Sequence, residues 1–227
     1  GNGKNNREDT MRYELMVPGE IRSAIQENLP ACMAVGVVEY HAEHLSVGVD
    51  GLLVIRALEA IEREMPDRLV LFPPYYYGSA SYAAAAPENN GTIHVDSDTV
   101  HAFARQFFRA VLRIGFRNIH VFVHHQTENF AAGMPTDLAL KLAARQAAFE
   151  FVEKAGGDGW WGDEKMADYY TAHAAGGNPL NAISIHPLMD EETQREFPID
   201  HAGKQETSLM MALAPDGVQM ERFTQDR

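Results

Sequence analysis

Glu39, His41 and Asp50 lie in one short stretch, Val-Val-Glu39-Tyr-His41-Ala-Glu-His-Leu-Ser-Val-Gly-Val-Asp50. A carboxylate, an imidazole and a second carboxylate are donors from which a hydrolytic divalent-metal centre is built. The residues before Glu39, Ala31-Cys-Met-Ala-Val-Gly-Val-Val, form an apolar run with β-branched members, the pattern of a buried strand. Glu39 leaves at the C-terminal end of that run, the end where open α/β sheets bind ligands. In an ideal strand Glu39 and His41 point to one face. Asp50 then opens a segment, Gly51 to Arg63, with helical apolar spacing. The competing structural reading is an acidic helix cap at Asp50, an exposed Glu39 and a surface His41; the motif alone does not separate the two.

The elements that must position these groups follow from periodicity. Short helices are expected over Glu20–Asn28 and Leu52–Met65, the latter stopped by Pro66. Arg68–Phe72 reads as a strand ended by prolines. Tyr75 to Asn90 is a long irregular segment, the kind of loop that carries function, and an extended piece restarts at Gly91. Val100, Phe103, Phe107, Val111 and Ile114 recur at helical spacing, giving a helix from Asp98 to Ile114 that Gly115 ends. Asn118–Val123 is a further strand, Thr136–Lys154 a long helix, Asn181–His186 a strand and Ser208–Ala214 a last helix. Strands alternating with helices predict an α/β fold, a mostly parallel β-sheet flanked by helices on both faces. In such a sheet the strand ends gather on one rim. Here those ends carry Glu39, His41 and Asp50, then His124, His125 and Glu128, then His201 and Glu206.

Composition narrows the function classes. Nineteen basic against thirty-two acidic residues give a net charge of −13. That balance argues against nucleic acid or an anionic membrane as partner, since both reward basic patches, and no such patch stands out in the sequence. The one cysteine, Cys32, sits inside an apolar strand and cannot form an internal disulfide. With no long apolar run and no secretory signal, a cytoplasmic location is expected. Residues 1–10 read as a disordered leader or a cloning remnant, with Met11 the natural start, and 11–227 as a single domain. No dinucleotide-type glycine fingerprint and no phosphate-binding Gly-Lys-Ser/Thr loop is present.

The ordered motifs resemble the creatininase (creatinine amidohydrolase) family, as a divergent member. That family carries Glu-x-His-Gly-x-His-Leu-Pro-x-x-x-Asp, and this chain has Glu39-Tyr-His41-Ala-Glu-His44-Leu-Ser-Val-Gly-Val-Asp50. A Tyr-Gly-x-Ser segment followed by Gly-Thr-Ile is matched by Tyr77-Gly-Ser-Ala and Gly91-Thr-Ile93. Gly115-Phe-Arg followed by a strand and His124-His125 matches a third motif, and His201-Ala-Gly-Lys-Gln-Glu206-Thr-Ser208 a fourth. The resemblance implies a binuclear site holding zinc, manganese or iron, a homohexamer, and hydrolysis of C–N bonds in cyclic or simple amides by metal-activated water. By matched position Glu39 would bind one ion, His41 the other, and Asp50 would bridge. His125 is preferred over Gln126 as the third-strand ligand, because the strand then keeps its length. Glu128 or Glu206 would complete the His41 site.

The departures fall in substrate-facing loops. Ala42 and Glu43 replace family glycines, Tyr82 stands where a His is usual, and Asn89-Asn90 replaces Phe-Pro. His201 is the candidate acid/base, since imidazole titrates near working pH; Glu43, His44 and Glu206 are its rivals. Tyr82, Asn89, Asn90, Trp160 and Trp161 are candidates to contact the substrate. Two alternatives stay open. One is ring opening of a cyclic polyol ketone of the inosose type, a reaction of inositol catabolism. The other is a non-catalytic metabolite binder that kept the fold and lost a metal.

Overall fold

In the computed structural model the described residues are 11–126, 130–159 and 178–223. Four strands, β1 (Ala31–Val35), β2 (Val70–Leu71), β3 (Ile119–Val123) and β4 (Ile183–Pro187), form one sheet in the order β2-β1-β3-β4. Every pairing is parallel, with Val35 opposite Val123 and Val123 opposite Pro187. Among the described residues the α-helices are α1 (Pro18–Gln26), α2 (Val49–Glu64), α3 (Ser97–Ile114), α4 (Pro135–Gly156), α5 (Glu191–Glu196) and α6 (Lys204–Leu213).

Alternation along β1 explains the layers, because successive side chains of a strand point to opposite faces. Met33 and Val35 join Ile119, Val121 and Val123 of β3 in a core with Phe108 and Leu112 of α3 and Leu140 and Ala143 of α4. Cys32 and Ala34 face the other way and pack with Val54 and Leu58 of α2. Helices therefore cover both faces, as the sequence pattern predicts. Cys32 is buried, and burial pushes its thiol up to about 11, the state of an inert core residue. A third cluster joins Val49 and Leu53 of α2 to Met210 of α6, which docks the last helix beside the first crossover.

The strand order carries the functional consequence. From β1 the chain crosses to β2 on one side, then returns to place β3 on the other side of β1. A crevice opens where the order reverses, at the carboxyl ends of β1 and β3. Glu39 and His41 follow β1 and His124 and His125 follow β3, so both segments empty into it.

Several boundaries differ from the sequence reading. β1 ends at Val35, so Glu39 and His41 lie beyond the strand, in a loop pinned by an isolated antiparallel bridge between Val38 and Ile93. Their shared direction comes from this loop, in which Ala42 adopts a positive φ of 58°, and not from strand alternation. α2 begins at Val49, which places Asp50 in its first turn, and α6 begins at Lys204, which makes Glu206 a helical residue. The expectation that no basic patch exists is also corrected: Arg105, Arg109 and Arg113 on α3, Arg117 after it and Lys154 on α4 line one groove, with Glu150 the single carboxylate in it among the described residues. Helical i, i+4 spacing assembles this groove from residues that are scattered in the sequence. Among the described residues no helix is long and apolar enough to cross a membrane. Residues 1–10, expected to form a leader, lie outside the described residues.

Candidate metal centre

Asp50 is held in the crevice by an unusually close packing of backbone on backbone. A Cβ on Gly36, just past β1, would fall 2.3 Å from the Gly51 nitrogen and 2.7 Å from the Asp50 carbonyl carbon. Only glycine at 36 lets the first turn of α2 approach the end of β1 this closely. Gly51 in turn leaves space for the Tyr76 ring, which a Cβ there would meet at 2.2 Å.

Around Asp50 the chain gathers three carboxylates and four imidazoles. His125 Nδ1 lies 3.2 Å from Glu39 Oε1 and 3.6 Å from Asp50 Oδ2. His41 Nε2 lies 3.8 Å from Asp50 Oδ1, 3.8 Å from Glu39 Oε1 and 3.5 Å from Glu206 Oε2. Three donor trios result among the described residues: Glu39–Asp50–His125 and His41–Asp50–Glu206 share Asp50, and Glu39–His41–His201 adjoins them at the exposed side. His124 Nε2 donates to Glu206 Oε1 at 3.0 Å, and the Ala202 amide donates to Glu206 Oε2 at 2.7 Å.

The tautomers are fixed by backbone carbonyls. His41 Nδ1 donates to the Glu39 carbonyl at 3.1 Å, and His125 Nε2 donates to the Ser79 carbonyl at 3.2 Å. In each ring the remaining nitrogen turns toward the carboxylates, the arrangement by which proteins orient metal-ligating histidines. His201 repeats the device from the other side. Its Nε2 donates to the Tyr40 carbonyl at 2.6 Å, its Nδ1 lies 3.6 Å from Glu39 Oε1, and its ring stacks on His41 with centroids 4.4 Å apart.

Charge explains the titration behaviour. Burial by itself would lower the His41 pKa, yet the Glu206 and Asp50 carboxylates outweigh it and hold the group up to about 9. His125 responds likewise: burial lowers, Asp50 and Glu39 raise, and the result is about 10. Burial would raise Glu206, but His124 and His41 hold its carboxyl well below the usual carboxylate range. With Glu39, His41, Asp50 and His125 all buried, this is a cage that demands positive charge.

The residues fit divalent ions on two counts. His41 Nε2 and Asp50 Oδ2 are buried and have no hydrogen-bond partner among the described residues, a costly state that a bound cation between them would relieve. The donor separations of 3.2–3.8 Å bracket the edge of a tetrahedron with bonds of about 2.1 Å, roughly 3.4 Å.

The other residues singled out from sequence fall as follows. Of the register alternatives, His125 enters the cage; Gln126 also lines the cavity, at a positive φ of 53° that marks the tight turn after β3. The cavity, of about 290 Å³, is further lined by Ala80, Ser81, Ala84, Ile199 and Asp200. Glu43 does not line it; its carboxylate accepts from the Tyr40 hydroxyl at 3.0 Å. Tyr82 is half exposed and sits against His94, and Asn89 and Asn90 lie outside the cavity wall. Glu128, Trp160 and Trp161 lie outside the described residues. His124 and Asp200 were not assigned site roles from sequence. A His-His pair directly after a strand was the available signal for His124; nothing in the sequence marks Asp200.

Comparison with known proteins gives the lineage. The Creatininase family profile, described as creatinine amidohydrolase, matches residues 14–227. A creatinine amidohydrolase from Pseudomonas putida is 26% identical over 194 residues, covering 84% of this chain and 66% of its own length. This chain thus spans about two thirds of that relative. Among solved structures, a manganese creatininase superposes with a TM-score of 0.64 at 20% identity, over 96% of this chain and 78% of that one. A Glu-to-Gln creatininase variant of the Zn–Zn type gives a TM-score of 0.63 at 18% identity, with the same coverage. With a parallel α/β sheet, a cage of paired donor trios and a family match over nearly its whole length, the chain belongs to the creatininase family of metal-dependent hydrolases.

Proposed function

We propose that this chain hydrolyses the C–N bond of a small amide, cyclic or linear, with two divalent ions held in the cage. The observation that carries this reading is the pair of donor trios meeting at Asp50. Glu39, Asp50 and His125 would hold one ion and His41, Asp50 and Glu206 the other. Zinc and manganese, named for the solved relatives, suit this mixed oxygen and imidazole donor set, and iron does as well. Bound there, such ions acidify water toward neutrality and polarise a carbonyl oxygen.

The remaining work falls to the chain. Three carboxylates close together in a buried space call for compensation, which protonated His41 and His125 supply without metal and two dications supply with it. His124 orients Glu206 through its 3.0 Å hydrogen bond. His201 is the proton carrier: Tyr40 holds its Nε2–H, so Nδ1, facing the cage, accepts a proton and delivers it to the leaving nitrogen. Assembly as a homo-oligomer belongs to the same proposal; Leu138, Leu142 and Phe149 form an exposed apolar stripe along α4 on which copies can meet.

The test combines metal analysis with turnover. Protein purified without chelator should carry about two transition-metal ions per chain, and reconstituted protein should hydrolyse members of a cyclic and linear amide panel. One ion or none, with no turnover after reconstitution, supports the metabolite binder instead. Turnover confined to oxidised inositols would support the C–C hydrolase.

A further inference from the structure

A second cavity of about 590 Å³ adjoins the metal cage, and His201 and Ala84 form walls of both. Its sides are Met211, Met220, Phe223 and Ala202, and Lys204 stands in its lining. No carboxylate lines it among the described residues, although the chain as a whole carries a charge of −13. It also lies at the N-terminal end of the ten-residue helix α6, where Gly203, Lys204 and Thr207 contribute to the wall; that end of a helix favours negative charge. His44, 2% exposed, faces the same cavity: its Nε2 pairs with the Thr207 hydroxyl at 3.0 Å, while its Nδ1 has no partner among the described residues. A buried, unpaired imidazole nitrogen beside an apolar cavity with one ammonium is the composition of a binding pocket with a few placed polar groups.

We propose that the substrate amide bears on its nitrogen an arm that carries both apolar bulk and a carboxylate, and that this arm occupies the second cavity with its charge on Lys204. This rests on the hydrolase reading above. The cage cavity alone, at 290 Å³, suits a small ring or short acyl group. The two together reach the upper part of the range that holds a drug-sized ligand. Such a substrate is of the N-acyl amino acid type. Hydrolysis adds one water across the C–N bond, giving a carboxylate on the acyl fragment and an amine on the arm fragment, with the proton passing through His201. Thioethers and an aromatic ring form an adaptable wall that selects for apolar bulk over one side-chain shape.

The test uses the full-length, zinc-reconstituted protein and isothermal titration with three probes: N-acetylphenylalanine, its methyl ester, and acetohydroxamate, which reaches the metals without an arm. The acid should bind at least tenfold more tightly than the ester. Lys204→Ala should abolish that preference and leave the ester unchanged. Met211→Trp, which fills the cavity from a position that is 54% exposed, should weaken acid and ester tenfold or more and leave acetohydroxamate within twofold. The proposal is overturned if the acid binds no better than the ester, if Lys204→Ala keeps the preference, or if Met211→Trp leaves both arm-bearing probes unaffected. Failure of acetohydroxamate to bind the zinc-treated protein would instead strike the hydrolase reading itself.

Discussion

Adding zinc to the metal-free protein at pH 7 should expel about two protons per chain. His41 is held at about 9 and His125 at about 10. Both imidazoles are then about 99% protonated or more at pH 7. An ion bound through His41 Nε2 and His125 Nδ1 needs the lone pairs those protons occupy. Removing them at pH 7 costs about two pH units for one group and three for the other, on the order of 7 kcal/mol together. The apparent affinity should rise roughly a hundredfold per pH unit between 7 and 9 and flatten above 10. Calorimetry in buffers of different ionisation enthalpy counts the protons directly. A count near zero with pH-independent affinity would refute the placement of these two nitrogens against the carboxylates. The sign for stability follows from the same shifts. A raised histidine stabilises the metal-free fold fully below its ordinary 6.5 and loses that contribution as pH climbs through 9 to 10. Glu206 acts oppositely: depressed in the fold, it stabilises above the ordinary carboxylate range near 4.5 and loses this as pH falls toward its low folded value. Metal-free protein should therefore be most stable near neutral to weakly acidic pH, and its Tm should drop from pH 6.5 to 10 more steeply than that of the zinc form.

Asp50→Ala should lose both ions and all turnover, since one carboxylate serves both trios; full metal content by elemental analysis would contradict a shared role. His125→Ala should empty the Glu39-side position while Gln126→Ala keeps two ions; the reverse pattern would mean that the turn after β3 is set one residue differently. Gly36→Ala forces a Cβ to within 2.3 Å of the α2 backbone, so a loss of about 1–3 kcal/mol or more is expected. Calorimetric Tm should fall by roughly 2–4 °C per kcal/mol, along with metal content as Asp50 is displaced; an unchanged Tm would show that the close approach is not needed.

What could be read from the residues, and what could not, follows from range. β1, β3, β4, α3 and α4 are written in local periodicity, and the parallel sheet follows from their alternation. The strand read over Ala31–Val38 ends at Val35, because Val37 and Val38 continue the apolar run while the chain has already left the sheet. Glu206 was one of two candidate ligands; its hydrogen bond to His124, 82 residues away, depends on how α6 docks against the rest of the fold, a contact that no sequence window contains. The arginine groove along α3 was missed for a related reason: Lys154 joins it only after α3 and α4 pack together.

The cage draws on residues far apart in the sequence, from Glu39 to Glu206. A polypeptide still emerging from the ribosome shows Glu39, His41, Asp50 and His125 long before Glu206 and His201 have been made. One half of the cation grip is thus available early, and the other waits until α6 has been made and has docked against α2. Full metal loading then reports a docked α6, and products that stop before His201 are left with an incomplete set of donors.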